Sequence, residues 1–209
     1  TNLDSLTIAK AELSRTDFLR AFYSFSPQTI YQFNQPERWQ QALTLPLNRS
    51  EGIEISLTPD GSPLQAGFYV LQIDSPDLRS YTPGYDFALV VAPSQVTIKE
   101  NEDEIFLWVT NLQTGRPVAN VEVQVYTGPG EPQAAGTTQE DGTARIPLPR
   151  DPETYRQVLV IAGEPGRDDF GVGMTSWSDG ISPWEFGLPT RYERSGRMGY
   201  LYTDRPIYR

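Results

Sequence analysis

The sequence predicts an all-β chain built as two β-sandwiches in tandem, with one short helix in the first, and three observations predict it. Gly and Pro, 17 and 18 of the 209 residues, are spread as punctuation rather than clustered, which favours many short strands. Several runs alternate apolar and polar residues with the period of two that a half-buried strand requires. Turn-forming clusters, Asn111-Leu112-Gln113-Thr114-Gly115-Arg116-Pro117 and Asp141-Gly142 among them, stand between those runs. The length suffices for two domains of about a hundred residues, each able to bury a core unaided.

Taken in order, a first strand is expected over 6–13. Ser14-Arg15-Thr16-Asp17 has the spacing of a capping box and leads into Phe18, Leu19, Ala21, Phe22 and Phe25 at helical intervals, predicting a helix over 15–25. Residues 28–41 hold Tyr31, Phe33, Pro36 and Trp39 without a clear period and receive no element. Strands are expected at 52–57, 67–74 and 86–91. Ala92-Pro93-Ser94 marks the expected boundary, dividing the chain into domains over 1–92 and 93–202. In the second, strands are expected at 94–100, 105–110, 121–126, 133–139, 143–148 and 157–162. Within 105–110, Ile105, Leu107 and Val109 share one face and Phe106, Trp108 and Thr110 the other. The run 121–126 alternates strictly until Tyr126. Gly115 is free to take positive φ, and Asp141-Gly142 reads as a hairpin turn. Residues 163–196 read as a long excursion between strands.

Composition excludes several functions. A formal charge of −10 and a pI near 4.5 leave no basic face for nucleic acid or for an anionic membrane surface. The longest apolar runs, such as 87–93, are too short to span a bilayer. The first residue is Thr rather than Met, so a leader or lipid anchor is expected to have been removed. No cysteine is present, which removes disulfides, thiol nucleophiles and thiolate metal sites. No histidine is present either, which removes Ser-His-Asp and Cys-His arrangements and the usual base near neutral pH. Lys10 and Lys99 sit in no recognisable Ser-Lys nucleophile motif. The acidic candidates, Asp168-Asp169 and the cluster Glu100, Glu102, Asp103 and Glu104, could be written as glycosidase or Ca2+ chemistry but read better as solvated charged turns. No enzyme is expected, and no catalytic, cofactor-binding or metal residue is assigned. Asn48-Arg49-Ser50 fits a glycosylation sequon, a triplet common by chance.

The final heptad, Thr203-Asp204-Arg205-Pro206-Ile207-Tyr208-Arg209, reads as a strand being launched, since Pro206 drives Arg205 out of the helical region. It resembles the segment that opens a macroglobulin domain in the α2-macroglobulin family. Earlier pieces are similar in order to bacterial members: Ala66-Gly67-Phe68-Tyr69-Val70-Leu71, Ala88-Leu89-Val90-Val91, Leu107 through Val118, and Thr138-Gln139-Glu140-Asp141-Gly142-Thr143-Ala144. The likeness covers roughly 60–209. It implies tandem macroglobulin-type sandwiches, Ig- or fibronectin-like in architecture, with 203–209 as the first strand of a further domain. It also implies a scaffold piece of a broad-spectrum endopeptidase inhibitor that collapses around a protease once a bait segment is cut. The partners implied are neighbouring macroglobulin domains, and target proteases through the full-length protein. The implied location is the periplasm, cell envelope or exterior. Without Cys there is no thioester, and no segment is long, polar and structureless enough for a bait.

The alternative expectation is an Ig-like adhesion or carbohydrate-binding module. Trp177, Trp184, Phe186, Tyr192, Tyr200 and Tyr202 would then stack on sugars or line a protein interface, where the scaffold reading has them fill the core and a domain contact.

Overall fold

The computed structural model describes residues 4–24, 36–46, 52–75, 85–101, 103–149 and 157–175. Strands dominate them, with one short helix. The first part comprises β1 (Ser5–Leu13), α1 (Arg15–Ser24), β2 (Glu37–Ala42), β3 (Gly67–Asp74) and β4 (Tyr85–Val91), its strands forming an antiparallel sheet in the order β2-β1-β3-β4. Ile8 sits opposite both Trp39 and Ile73, at the centre of that sheet. After Val91 the chain leaves this sheet, and β5 (Ser94–Glu100) opens a second one.

The remaining strands are β6 (Glu104–Asn111), β7 (Glu122–Tyr126), β8 (Ala134–Thr137), β9 (Thr143–Pro147), β10 (Leu159–Ala162) and β11 (Gly171–Met174). The seven run in the order β8-β7-β10-β11-β5-β6-β9. The sheet folds on itself so that β5, β6 and β9 face β7 and β10. Val96, Ile98, Ile105, Leu107, Val109 and Ile146 on one side meet Val123, Val125, Val160 and Ala162 on the other. The edge strands β8 and β9 come together without a hydrogen-bonded ladder; a Cβ on Gly136 would stand 3.1 Å from Ile146. The result is a nearly closed sandwich. Val109 and Leu107 are fully enclosed, and Trp108 between them is 43% exposed, as the predicted alternation requires.

The helix follows β1 after a single residue. Ser14 Oγ accepts the Asp17 amide hydrogen at 3.1 Å and donates to the Asp17 carboxylate at 2.7 Å, while the Phe18 amide donates to the Ser14 carbonyl at 2.9 Å. The expected N-terminal cap is therefore present, and Asp17 also suits the positive end of the helix dipole. Phe18 and Leu19 are buried and Phe22 packs beside them.

The structure revises several local expectations. β2 lies in the stretch that received no element, and its ERWQQA sequence has no apolar alternation because its side chains are half-exposed at a sheet edge. Residues 52–57 form no strand. The Gln41 side-chain amide holds them instead, donating to the Glu54 carbonyl at 2.7 Å and accepting the Ser56 amide at 3.0 Å. Asp141-Gly142 makes the expected tight turn, the Gly142 amide donating to the Gln139 carbonyl and the Gln139 amide to the Thr143 carbonyl, but no ladder continues beyond it. β8 pairs with β7 and β9 with β6, so the turn carries the chain from one layer to the other. The excursion at 163–196 contains β11, paired antiparallel to β10 and parallel to β5.

Candidate functional site at the junction of the two sheets

A large buried feature that relates distant parts of the chain is the contact between the four-stranded sheet and the outer face of β7, β10 and β11. Ala9, Ala11, Leu13, Phe68 and Val70 from the first sheet and Phe18 and Leu19 from α1 share one apolar cluster with Tyr126, Leu159, Ile161, Phe170, Val172 and Met174. Phe18 stacks on Phe68 at 4.3 Å between ring centroids, and Phe68 meets Phe170 edge-on at 5.2 Å. These three fully buried rings each contribute roughly 1.5–3 kcal/mol through burial alone.

Polar groups fasten the rim of this contact. Arg15, at the start of α1, donates to Gln124 Oε1 and to Glu164 Oε2, both at 2.7 Å. The Gly166 amide donates to the Ala66 carbonyl at 2.9 Å, tying the β10–β11 turn to the segment before β3. At the other end of α1, the Tyr23 hydroxyl lies 3.0 Å from the Tyr126 carbonyl and 3.2 Å from that of Gln157. Burial pushes the Tyr23 phenol up to about 12. Tyr126 is also raised by burial, against the opposing influence of the Arg15 charge, and donates to Gln124 at 2.6 Å. A cleft of about 210 Å³ beside Arg15 is lined by Asn120, Glu122, Gln124, Glu164, Arg167 and Asp169. The arrangement fastens two surfaces and contains no nucleophile beside a base. Sequence reasoning missed Arg15 and Tyr23 as junction residues, because their partners lie more than a hundred positions away and leave no local signal.

The acidic candidates do not converge. Asp169 is held by Arg167 of its own turn at 3.2 and 3.3 Å, while the Asp168 carbonyl accepts the Ser94 hydroxyl. Glu104 pairs with Arg145, and Asn101 Oδ1 accepts the amides of Asp103 and Glu104, making that cluster a capped turn. Among the described residues no three acidic side chains gather as a metal would need. Lys10 is paired with Glu37 at 3.0 Å and lies over the Trp39 ring, and Lys99 is exposed on β5. Glu102, the sequon at 48–50, the aromatic residues from Trp177 to Tyr202 and the heptad 203–209 lie outside the described residues. Among the described residues no helix is long and apolar enough to cross a membrane.

The motif residues of the second half meet at one end of the sandwich. Asn111 Oδ1 accepts the amides of Gln113 and Thr114, Gly115 has φ 66°, and the returning Val118 amide bonds the Val109 carbonyl. The buried Thr138 hydroxyl accepts the Val121 amide and donates to the Val118 carbonyl. Gly142, with φ 75°, passes so close that a Cβ would stand 2.6 Å from the Val109 carbonyl oxygen. Each motif position thus serves packing or turn geometry.

A family model described as the bacterial alpha-2-macroglobulin MG3 domain matches residues 95–193. None of the curated proteins matches the chain. Among solved structures, native alpha-2-macroglobulin from Escherichia coli spanning domains NIE-MG1 aligns with a TM-score of 0.64 at 14% identity, covering 84% of this chain and 85% of that one. A second structure of the same protein, spanning MG0-NIE-MG1, aligns with a TM-score of 0.63 at 14% identity, covering 83% of this chain and 55% of that one. At such identity these likenesses establish the fold. The family matched over these residues is a non-catalytic scaffold. Residues 95–193, then, are similar in sequence to a bacterial alpha-2-macroglobulin MG domain, and the chain shares the fold of the E. coli protein.

Proposed function

We infer that the chain is a scaffold portion of a bacterial alpha-2-macroglobulin-like endopeptidase inhibitor, one that traps proteases by collapsing after bait cleavage. The observation that carries this reading is the family match over 95–193, laid on a sandwich with a closed apolar core. In this reading the chain divides into tandem macroglobulin-type units at 1–92 and 93–202, with 203–209 opening a third. The passage from one sheet to the other at Ala92-Pro93 supports that division. The working location is the periplasm, cell envelope or exterior. The partners are neighbouring domains and, through the whole protein, proteases.

The test compares the isolated chain with its full-length parent, using an endopeptidase and a large protein substrate. The parent should protect the substrate and the isolated chain should not. Inhibition by the isolated chain, or none by the parent, would overturn the reading. One observation favours a second reading, a carbohydrate-binding module: Trp108 lies exposed on β6 between Thr97 and Thr143 of the adjoining strands. Glycan binding lost in Trp108→Ala would establish that alternative.

A further inference from the structure

We propose that the four-stranded sheet, α1 and the seven-stranded sandwich form one cooperatively unfolding body, with no hinge between the two sheets. Contacts between domains of one chain are ordinarily modest and polar and permit relative motion. This junction is of the opposite kind. Its centre is the ring series Phe18, Phe68 and Phe170, which passes from the helix through the first sheet into the second. β10 is buried along both faces: Val160 and Ala162 point into the sandwich core, Leu159 and Ile161 into the junction. Separating the sheets would hydrate Leu159, Ile161, Phe170, Val172 and Met174 together.

The sandwich has a core of its own, but the first sheet has little to fall back on. Among the described residues, the far face of the first sheet buries a small cluster around Leu6, Ile8 and Leu71, and the larger cluster that holds that sheet lies in the junction. The connection also has no slack. Only Ala92 and Pro93 separate β4 from β5. The Pro93 carbonyl accepts the Leu112 amide at 2.8 Å, and the Ser94 amide donates to the Phe170 carbonyl at 3.0 Å. Arg15, Gly166 and Tyr23 pin the two ends of α1 and the neighbouring turn across the same seam. Any change of shape in a larger protein that contains this body must pivot outside it. The inference stands whether or not that protein inhibits proteases.

Hydrogen exchange of the full chain at rising sub-denaturing urea tests it, read on peptides from β3 and from β6. The slowest amides of both strands should merge onto one opening isotherm with a common slope. Val109→Ala, in the sandwich core away from the helix, should lower the opening free energy of β3 as much as that of β6. Phe18→Leu, a mild change chosen to keep the chain folded, should do the reciprocal. β3 opening at lower urea on its own isotherm, with β6 protection unchanged in Phe18→Leu, would overturn the proposal. The wild-type isotherms decide the matter even if either variant fails to fold.

Discussion

Two residues show most clearly how local chemistry sets the fold. Gly173 lies on β11 where it passes the parallel-paired β5, and a Cβ there would fall 2.1 Å from the Val96 carbonyl oxygen, a backbone atom with no freedom to retreat. Gly173→Ala should therefore force β11 and β5 apart and cost on the order of 3 kcal/mol in chemical denaturation. Gly130→Ala, where nothing lies within 4 Å, should stay within about 0.5 kcal/mol of wild type. The second residue is Tyr23. Its phenol is raised in the folded chain, from an ordinary 10 to about 12, because burial disfavours the phenolate. The linked stabilisation is fully present below pH 10 and is lost as pH rises through 12. Denaturation midpoints should fall over that interval. Tyr23→Phe should start about 1 kcal/mol lower, for the lost hydrogen bond, and show a shallower alkaline limb. A limb as steep as wild type would assign the titration elsewhere.

At the scale of elements, legibility followed the solvent. β5, β6 and β7 alternate cleanly because one face meets water and the other a core, and their bounds were predicted to within a residue or two. α1 was announced by Ser14 and Asp17, whose mutual bonds are local. Ser14→Ala should cost about 1 kcal/mol of stability, measured by urea denaturation, with Ser14→Asp restoring most of it. Elements shaped by distant neighbours were not legible. β11 reads Gly-Val-Gly-Met, a poor strand by propensity, yet glycine is what the close passage of β5 demands. β2 is fixed by the backbone of β1, which no pattern in its own residues discloses. The segment 52–57 joins no ladder, and the Gln41 side-chain amide bonds its backbone at Glu54 and Ser56 instead. Asp141-Gly142 signals a turn correctly, but which strands a turn joins depends on the sheet around it.

For the whole molecule, the order of motifs along the second half pointed to the family, while the junction that unites the two sheets was invisible in the sequence. Its members are individually unremarkable: Ala9, Phe18, Phe68 and Ile161 read as ordinary core, and Arg15 as one residue of a cap. Their assembly is a property of topology. That topology also fixes an order of events during synthesis. The junction face of β1, β3 and α1 is covered by Leu159, Ile161, Phe170 and Val172, which lie about eighty residues further along the chain. At translation rates of about 5–20 residues per second, roughly 4–16 s pass between the synthesis of β4 and that of the β10 and β11 residues that pack on this aromatic face. A nascent chain of this protein therefore passes through an interval as a natural client for holding chaperones, an interval that ends only when β10 and β11 emerge.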